Sequence, residues 1–180
     1  NKCVEWIRKF FEENGPTCNA VLGISGGKDS SVVAALCVKA LGKDRVIGVL
    51  MPNGEQPDID FSYGICEFLG IKYYEINIDS ACSALYRAID EAYDYDHCCI
   101  NNLMIKTNLP ARIRMTTLYA IAALYPNSRV VNTCNYSEDY VGYSTKWGDG
   151  VGDFSLFRNY TVRDVLAIGA AVFLFLKKKK

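Results

Sequence analysis

The densest chemistry in the chain lies in Leu22-Gly23-Ile24-Ser25-Gly26-Gly27-Lys28-Asp29-Ser30. The stretch follows the short apolar run Ala20-Val21-Leu22 and leads into Ser31-Val32-Val33-Ala34-Ala35-Leu36-Cys37-Val38, which reads as a buried helix. A strand, a tight polar turn and a helix aim backbone N–H groups and the positive helix end at one point, which suits phosphate oxygens. Gly26 and Gly27 lack Cβ atoms, so phosphate can approach the backbone closely. Ser25 and Ser30 add hydroxyl donors, and Lys28 adds a cation. A carboxylate beside phosphates repels them unless a divalent metal lies between, so Asp29 reads as a Mg²⁺ ligand. The plainer alternative is a glycine turn capped by serine or aspartate. The spacing fits neither G-x-x-x-x-G-K-[ST] nor G-x-G-x-x-G.

Further constellations lie downstream. In Thr133-Cys134-Asn135-Tyr136-Ser137-Glu138 the carboxylate of Glu138 could join Asp29 around a Mg²⁺ ion bridging phosphates. Alternatively, Ser137-Glu138 is the polar start of a helix, with Glu complementing the dipole. The segment from Gly142 to Asp153 carries four glycines in Gly142, Gly148, Gly150 and Gly152, with Asp149, Asp153, Tyr143 and Trp147. A loop this rich in glycine is usually functional or disordered, and the aromatics argue against disorder. Lys146 could meet phosphate or carboxylate, and Asp153 a ribose hydroxyl or an amide. Arg112 and Arg114 are read at the apolar start of a helix, a poor place for cations beside the dipole. Arg112 therefore calls for a partner, whereas Arg114, two positions on, points elsewhere and reads as structural.

Positioning these groups requires a scaffold. Val4, Ile7, Phe10 and Phe11 repeat with helical period, and that helix ends near Gly15-Pro16. Continuous apolar strands are predicted at 20–22, 45–51, 71–78 and 129–133. Helices are predicted at 31–41, at 59–69 up to Gly70, after Asp79 as a cap, and from Leu109-Pro110 to Leu124. Residues 92–101 read as irregular. Long helices alternating with apolar strands imply an α/β fold with a doubly wound, mostly parallel sheet and helices on both faces. Ligands in such sheets sit beyond the carboxyl ends of the strands, where loop 23–30, Met51-Pro52 and Thr133–Glu138 all fall.

Composition narrows the function. The chain has 180 residues, half of them apolar, and zero formal net charge. That argues against a nucleic-acid-binding surface as the main business, and also against disorder. Eight cysteines contain no C-x-x-C, and the single His97 cannot complete a histidine-rich zinc site. Cys37 and Cys66 read as small buried hydrophobes of a reducing, cytoplasmic compartment. The apolar run 165–176 is too short for the ~20 residues that cross a bilayer, so no membrane role is expected. It reads as a buried helix cut short before a tail of four lysines at 177–180, and the chain is expected to lack its natural end. One domain is expected over 1–176.

Ser25-Gly26-Gly27-Lys28-Asp29-Ser30 resembles the pyrophosphate-binding loop of the ATP pyrophosphatases, an adenine nucleotide alpha hydrolase-like fold. Followed in order by Asn108-Leu109-Pro110-Ala111-Arg112-Ile113-Arg114-Met115, Thr133…Glu138 and Gly142-Tyr143-Ser144-Thr145-Lys146-Trp147-Gly148-Asp149-Gly150…Asp153, it resembles NAD synthetase over residues 1–165. The resemblance implies ATP held by Gly23, Ile24, Ser25, Gly26, Gly27, Lys28, Asp29, Ser30 and Thr133, with Mg²⁺ on Asp29 and Glu138. It implies that Arg112, Lys146 and Asp153 contact nicotinic acid adenine dinucleotide, lying across the interface of a homodimer. It implies amidation by free ammonia through an acyl-adenylate, with no side-chain nucleophile. The family's further ATP lysine falls on Val162, next to Arg163. Another ATP pyrophosphatase, or a non-catalytic ATP-binding module, are the alternatives.

Overall fold

A computed structural model of the chain describes residues 2–92, 102–125 and 127–178. In order, the elements are α1 (Lys2–Asn14), β1 (Ala20–Gly23), α2 (Lys28–Leu41), β2 (Val46–Leu50), α3 (Ile59–Leu69), β3 (Lys72–Glu75) and α4 (Asp79–Ala92). They continue with α5 (Leu103–Leu124), β4 (Arg129–Asn132), α6 (Tyr136–Val141), β5 (Phe154–Ser155) and α7 (Val162–Lys177). The strands form one sheet in the order β3-β2-β1-β4-β5, and each neighbouring pair is parallel. Parallel strands with helical crossovers need both faces covered, and both are.

Alternation along the strands sorts side chains to two cores. Ala20, Leu22, Val46, Leu50 and Val131 face one side, where α1, α2, α3 and α7 pack. Val21, Ile47, Val49 and Val130 face the other, where Ile121 and Ala122 of α5 cover them. Helix α2 is apolar almost all round: its residues from Ser30 to Cys37 are all buried. A helix with so wide an apolar surface can only sit between layers, here between the sheet and α1 and α7.

Several expectations are corrected. Helix α5 does not begin at Leu109-Pro110 but at Leu103, where Asn102 Oδ1 accepts from the Met104 and Ile105 N–H groups. Pro110 lies inside it, so Arg112 and Arg114 are mid-helix residues and the dipole argument for them fails. Strand β3 is shorter than the predicted 71–78, and Asp79 is the first helical residue of α4 rather than its cap. The oxygen that takes the Asp79 N–H belongs to Asn77, which also ties the loop at Gly54. The apolar run at 165–176 is a helix, but only one stripe, Val165, Gly169 and Val172, is buried, whereas Leu166, Leu174 and Phe175 are exposed. The expected irregular segment lies, from 93 to 101, outside the described residues. Among the described residues no helix is long and apolar enough to cross a membrane.

Candidate functional site

The glycine turn sits between the carboxyl end of β1 and the first turn of α2. Gly26 has φ +75°, and a Cβ there would stand 2.8 Å from Phe61 Cβ and 3.0 Å from the Ser62 nitrogen of α3. Only glycine fits both the conformation and the space. Gly27 starts α2 without a side-chain cap, which leaves the first-turn N–H groups open to a ligand. The serines hold the loop's shape: Ser25 Oγ lies 3.2 Å from Ser30 Oγ and accepts the Gly27 N–H at 3.3 Å. Ser31 Oγ donates to the Gly27 carbonyl at 2.7 Å.

Asp29 projects beside this turn. Its Oδ2 pairs with Lys28 Nζ at 2.7 Å and its Oδ1 accepts from Asn135 Nδ2 at 3.1 Å. Glu138 comes from α6, beyond β4, as expected. Its carboxylate accepts the Asn135 N–H at 3.0 Å while Asn135 Oδ1 accepts the Glu138 N–H, a capping box. The helix-start reading of Glu138 therefore holds, and Glu138 also lines, with Asp29, a cavity of about 190 Å³. Ser25, Gly27, Ser30, Thr133, Cys134 and Asp149 also line that cavity.

A second cavity, of about 530 Å³, shares Ser25, Ser30, Thr133 and Asp149 as a common wall. Gly23 of β1 and Ile24 just after it, Val49 of β2 and Met51 just beyond it, and Met115 and Leu118 of α5 make its apolar side. Arg114 lines it too, with Nε donating to the Met51 carbonyl at 3.1 Å. Burial lowers the Arg114 pKa, with the field of Asp149 opposing. The sequence reading of Arg114 as structural captures the Met51 bond and misses the cavity. Asp149 is a further residue that the reading gave no role. Its Oδ1 accepts the Thr145 N–H at 2.6 Å, while its carbonyl accepts from Asn132 Nδ2, so it fastens the glycine loop to the end of β4.

The three residues expected at the dinucleotide do not all meet. Arg112 Nε donates to the Lys146 carbonyl at 3.1 Å, which brings those two together on the surface. Lys146 Nζ lies 5.7 Å from the Trp147 ring centroid. Asp153 stands apart, accepting the Val130 N–H at 2.7 Å and the Tyr119 hydroxyl at 3.2 Å. Neither Val162 nor Arg163 lines either cavity; the Val162 N–H is taken by Ser137 Oγ. Burial, then the Asp149 and Glu138 charges, push the Cys134 thiol up to about 12.

Among the described residues no group of three or more His, Cys, Asp or Glu side chains could hold a metal ion. The Asp29–Glu138 pair still fits Mg²⁺: the ion takes one or two carboxylates and fills its shell with phosphate and water oxygens. The arrangement can therefore hold a polyphosphate at the turn and an apolar ring with a polar rim beside it.

A family model described as NAD synthase matches residues 1–172. The chain is 37% identical over 174 residues to the NH(3)-dependent NAD(+) synthetase of Pyrococcus furiosus, covering 95% of this chain and 63% of that protein. It thus spans less than two thirds of that curated relative. Among solved structures, an NH3-dependent NAD synthetase from Campylobacter jejuni, in complex with nitrate, superposes with a TM-score of 0.83 at 31% identity. That match covers 98% of this chain and 74% of the other. An NMN synthetase from Francisella tularensis gives a TM-score of 0.83 at 34% identity, covering 96% and 68%.

Proposed function

The chain belongs to the NAD synthase family, and from that premise we propose that it amidates nicotinic acid adenine dinucleotide to NAD with ammonia at the expense of ATP. The observation that carries this reading is the pair of cavities on one wall. The smaller is lined by Asp29, Glu138 and the glycine turn, the larger by apolar side chains and Arg114. A triphosphate in the first and its nucleoside in the second would place the α-phosphorus near Ser25, Ser30, Thr133 and Asp149.

Ammonia cannot displace oxide from a pyridine carboxylate, so the carboxylate must first gain a leaving group. Attack of the carboxylate on the α-phosphorus expels pyrophosphate and leaves an acyl-adenylate; ammonia then attacks the acyl carbon and AMP departs. The chain's part is positioning and charge stabilisation. The first-turn N–H groups of α2 and the Ser25 and Ser30 hydroxyls bind the departing pyrophosphate. Lys28 can exchange Asp29 for a phosphate oxygen. Held by Asp29 and Glu138, Mg²⁺ would neutralise the pyrophosphate charge. Arg112, Lys146 and Asp153 are assigned to the dinucleotide, in a cytoplasmic homodimer with that substrate across the interface.

The test is a mixture of this chain with Mg²⁺, ATP, nicotinic acid adenine dinucleotide and ammonium, read by a coupled dehydrogenase. NAD that requires every component is the expected result. ATP binding without pyrophosphate release would instead support a binding module. The likeness to the Francisella tularensis NMN synthetase supports a second substrate, nicotinic acid mononucleotide, and the same mixture with that acid, read by chromatography for NMN, tests it.

A further inference from the structure

Asn135 begins α6 with no solvent exposure at all. A buried amide must place both its oxygen and its nitrogen against partners. Its Oδ1 accepts from the Ser137 and Glu138 N–H groups at 2.9 and 3.2 Å, which is all that a helix cap requires. Serine or threonine would cap as well. The amide nitrogen is surplus to capping, and it donates to Asp29 Oδ1 at 3.1 Å, across a separation of 106 residues. The residue's own N–H holds Glu138 Oε2 at 3.0 Å.

The geometry points to Asn135 as the positioning residue that sets the spacing of Asp29 and Glu138. The assignment rests on the reading of those two carboxylates as the divalent-cation pair. Two like charges facing one small cavity repel, and each side chain could turn away into solvent. A single buried residue bonded to both removes that freedom before nucleotide arrives, so the cation meets a formed pair. Lys28 does not do this, because it touches Asp29 alone and its side chain is 38% exposed.

Asn135→Ser and Asn135→Thr test the idea, since each keeps a capping oxygen and loses the nitrogen. Binding of Mn²⁺ in the presence of ATP is followed by the electron paramagnetic resonance of free Mn²⁺, alongside the thermal midpoint of the cation-free chain. The expected result is a Mn²⁺ Kd raised about tenfold, as for the loss of a hydrogen bond to a charged group. The midpoint falls by only about 3–6 °C, as one such bond lost from the cation-free chain requires. In an Asp29→Asn background the serine substitution adds nothing to the loss. Unchanged Mn²⁺ affinity in both variants overturns the assignment and leaves the cation pair standing. A loss that persists undiminished in the Asp29→Asn background, or a collapsed midpoint in both variants, makes Asn135 a folding residue and overturns it equally. Absence of Mn²⁺ binding by the unmodified chain with ATP overturns the cation reading itself, and this role with it.

Discussion

Asp29 spends its two carboxylate oxygens on Lys28 and Asn135, and neither bond explains why an acid belongs beside this glycine turn. The Lys28 pair is near the surface and worth about 0–1 kcal/mol. Asparagine in its place still offers an oxygen to Asn135. Asp29→Asn is therefore expected to keep the thermal midpoint within a few degrees and to cut kcat for NAD formation by roughly a hundredfold or more. Unchanged kcat would remove the metal role from Asp29. Gly26 supports a sharper comparison. Gly26 and Gly54 both have positive φ, +75° and +80°, but a Cβ at Gly54 meets nothing within 4 Å whereas one at Gly26 meets α3 backbone. Gly54→Ala should cost only the left-handed strain, about 1–2 kcal/mol. Gly26→Ala should cost more and weaken ATP binding, which urea unfolding and calorimetric titration would report. The glycine turn between β1 and α2 was legible because its residue types and order set the backbone locally. The roles of Arg114 and Asn135 were not, because they depend on how α5 docks on the sheet and on a contact between residues 106 apart in the chain.

At the scale of elements, the helices with strong local signals were read closely, α3 from Ile59 to Leu69 most of all, its end set by Gly70 in the left-handed region. The misreadings have physical causes. Proline usually stops a helix, yet α5 carries Pro110 in its interior, so its first turns at 103–109 were invisible to that rule. Strand β5 has only Phe154 and Ser155, too short for any periodicity, and exists because β4 offers it an edge. The composition of α7 predicts a buried helix, but one stripe alone meets α2. There Gly169 lies so close that an added Cβ would stand 2.7 Å from Val32 Cγ2. Gly169→Ala gains about 0.8–1 kcal/mol of helix propensity but presses its Cβ on buried Val32, whose χ1 is stiff in a helix, so it should be mildly destabilising, by up to about 1 kcal/mol net. Gly169→Leu over-fills the contact and should destabilise by about 1–3 kcal/mol. Equal urea midpoints for the two variants would mean that α7 does not press on α2 there.

For the whole molecule, the strand order β3-β2-β1-β4-β5 makes the site possible. The chain leaves β1 towards β2 and β3 on one side and returns to build β4 and β5 on the other. Loops diverge where that direction changes, and the crevice they leave lies beyond the carboxyl ends of β1 and β4. Both cavities open there. A sandwich of this kind buries α2 on every side, and with it Cys37, whose thiol burial pushes up to about 12 from an ordinary 9.0. The folded chain thus keeps a proton that the unfolded chain releases above pH 9, so the contribution is fully present below that value. It drains away as pH rises from about 9 towards about 12. The slope for one such fully buried group is at most about 1.4 kcal/mol per pH unit. Cys66 and Cys134, pushed up to about 11 and about 12 by burial first, act in the same direction with more solvent around them. Urea midpoints measured at intervals from pH 8 to 11 should therefore fall as pH rises. Cys37→Ala should start lower, for the packing it loses, and fall less steeply. Parallel slopes for the two chains would mean that the Cys37 thiol ionises without unfolding the layer around it, and that α2 is less enclosed than its burial implies.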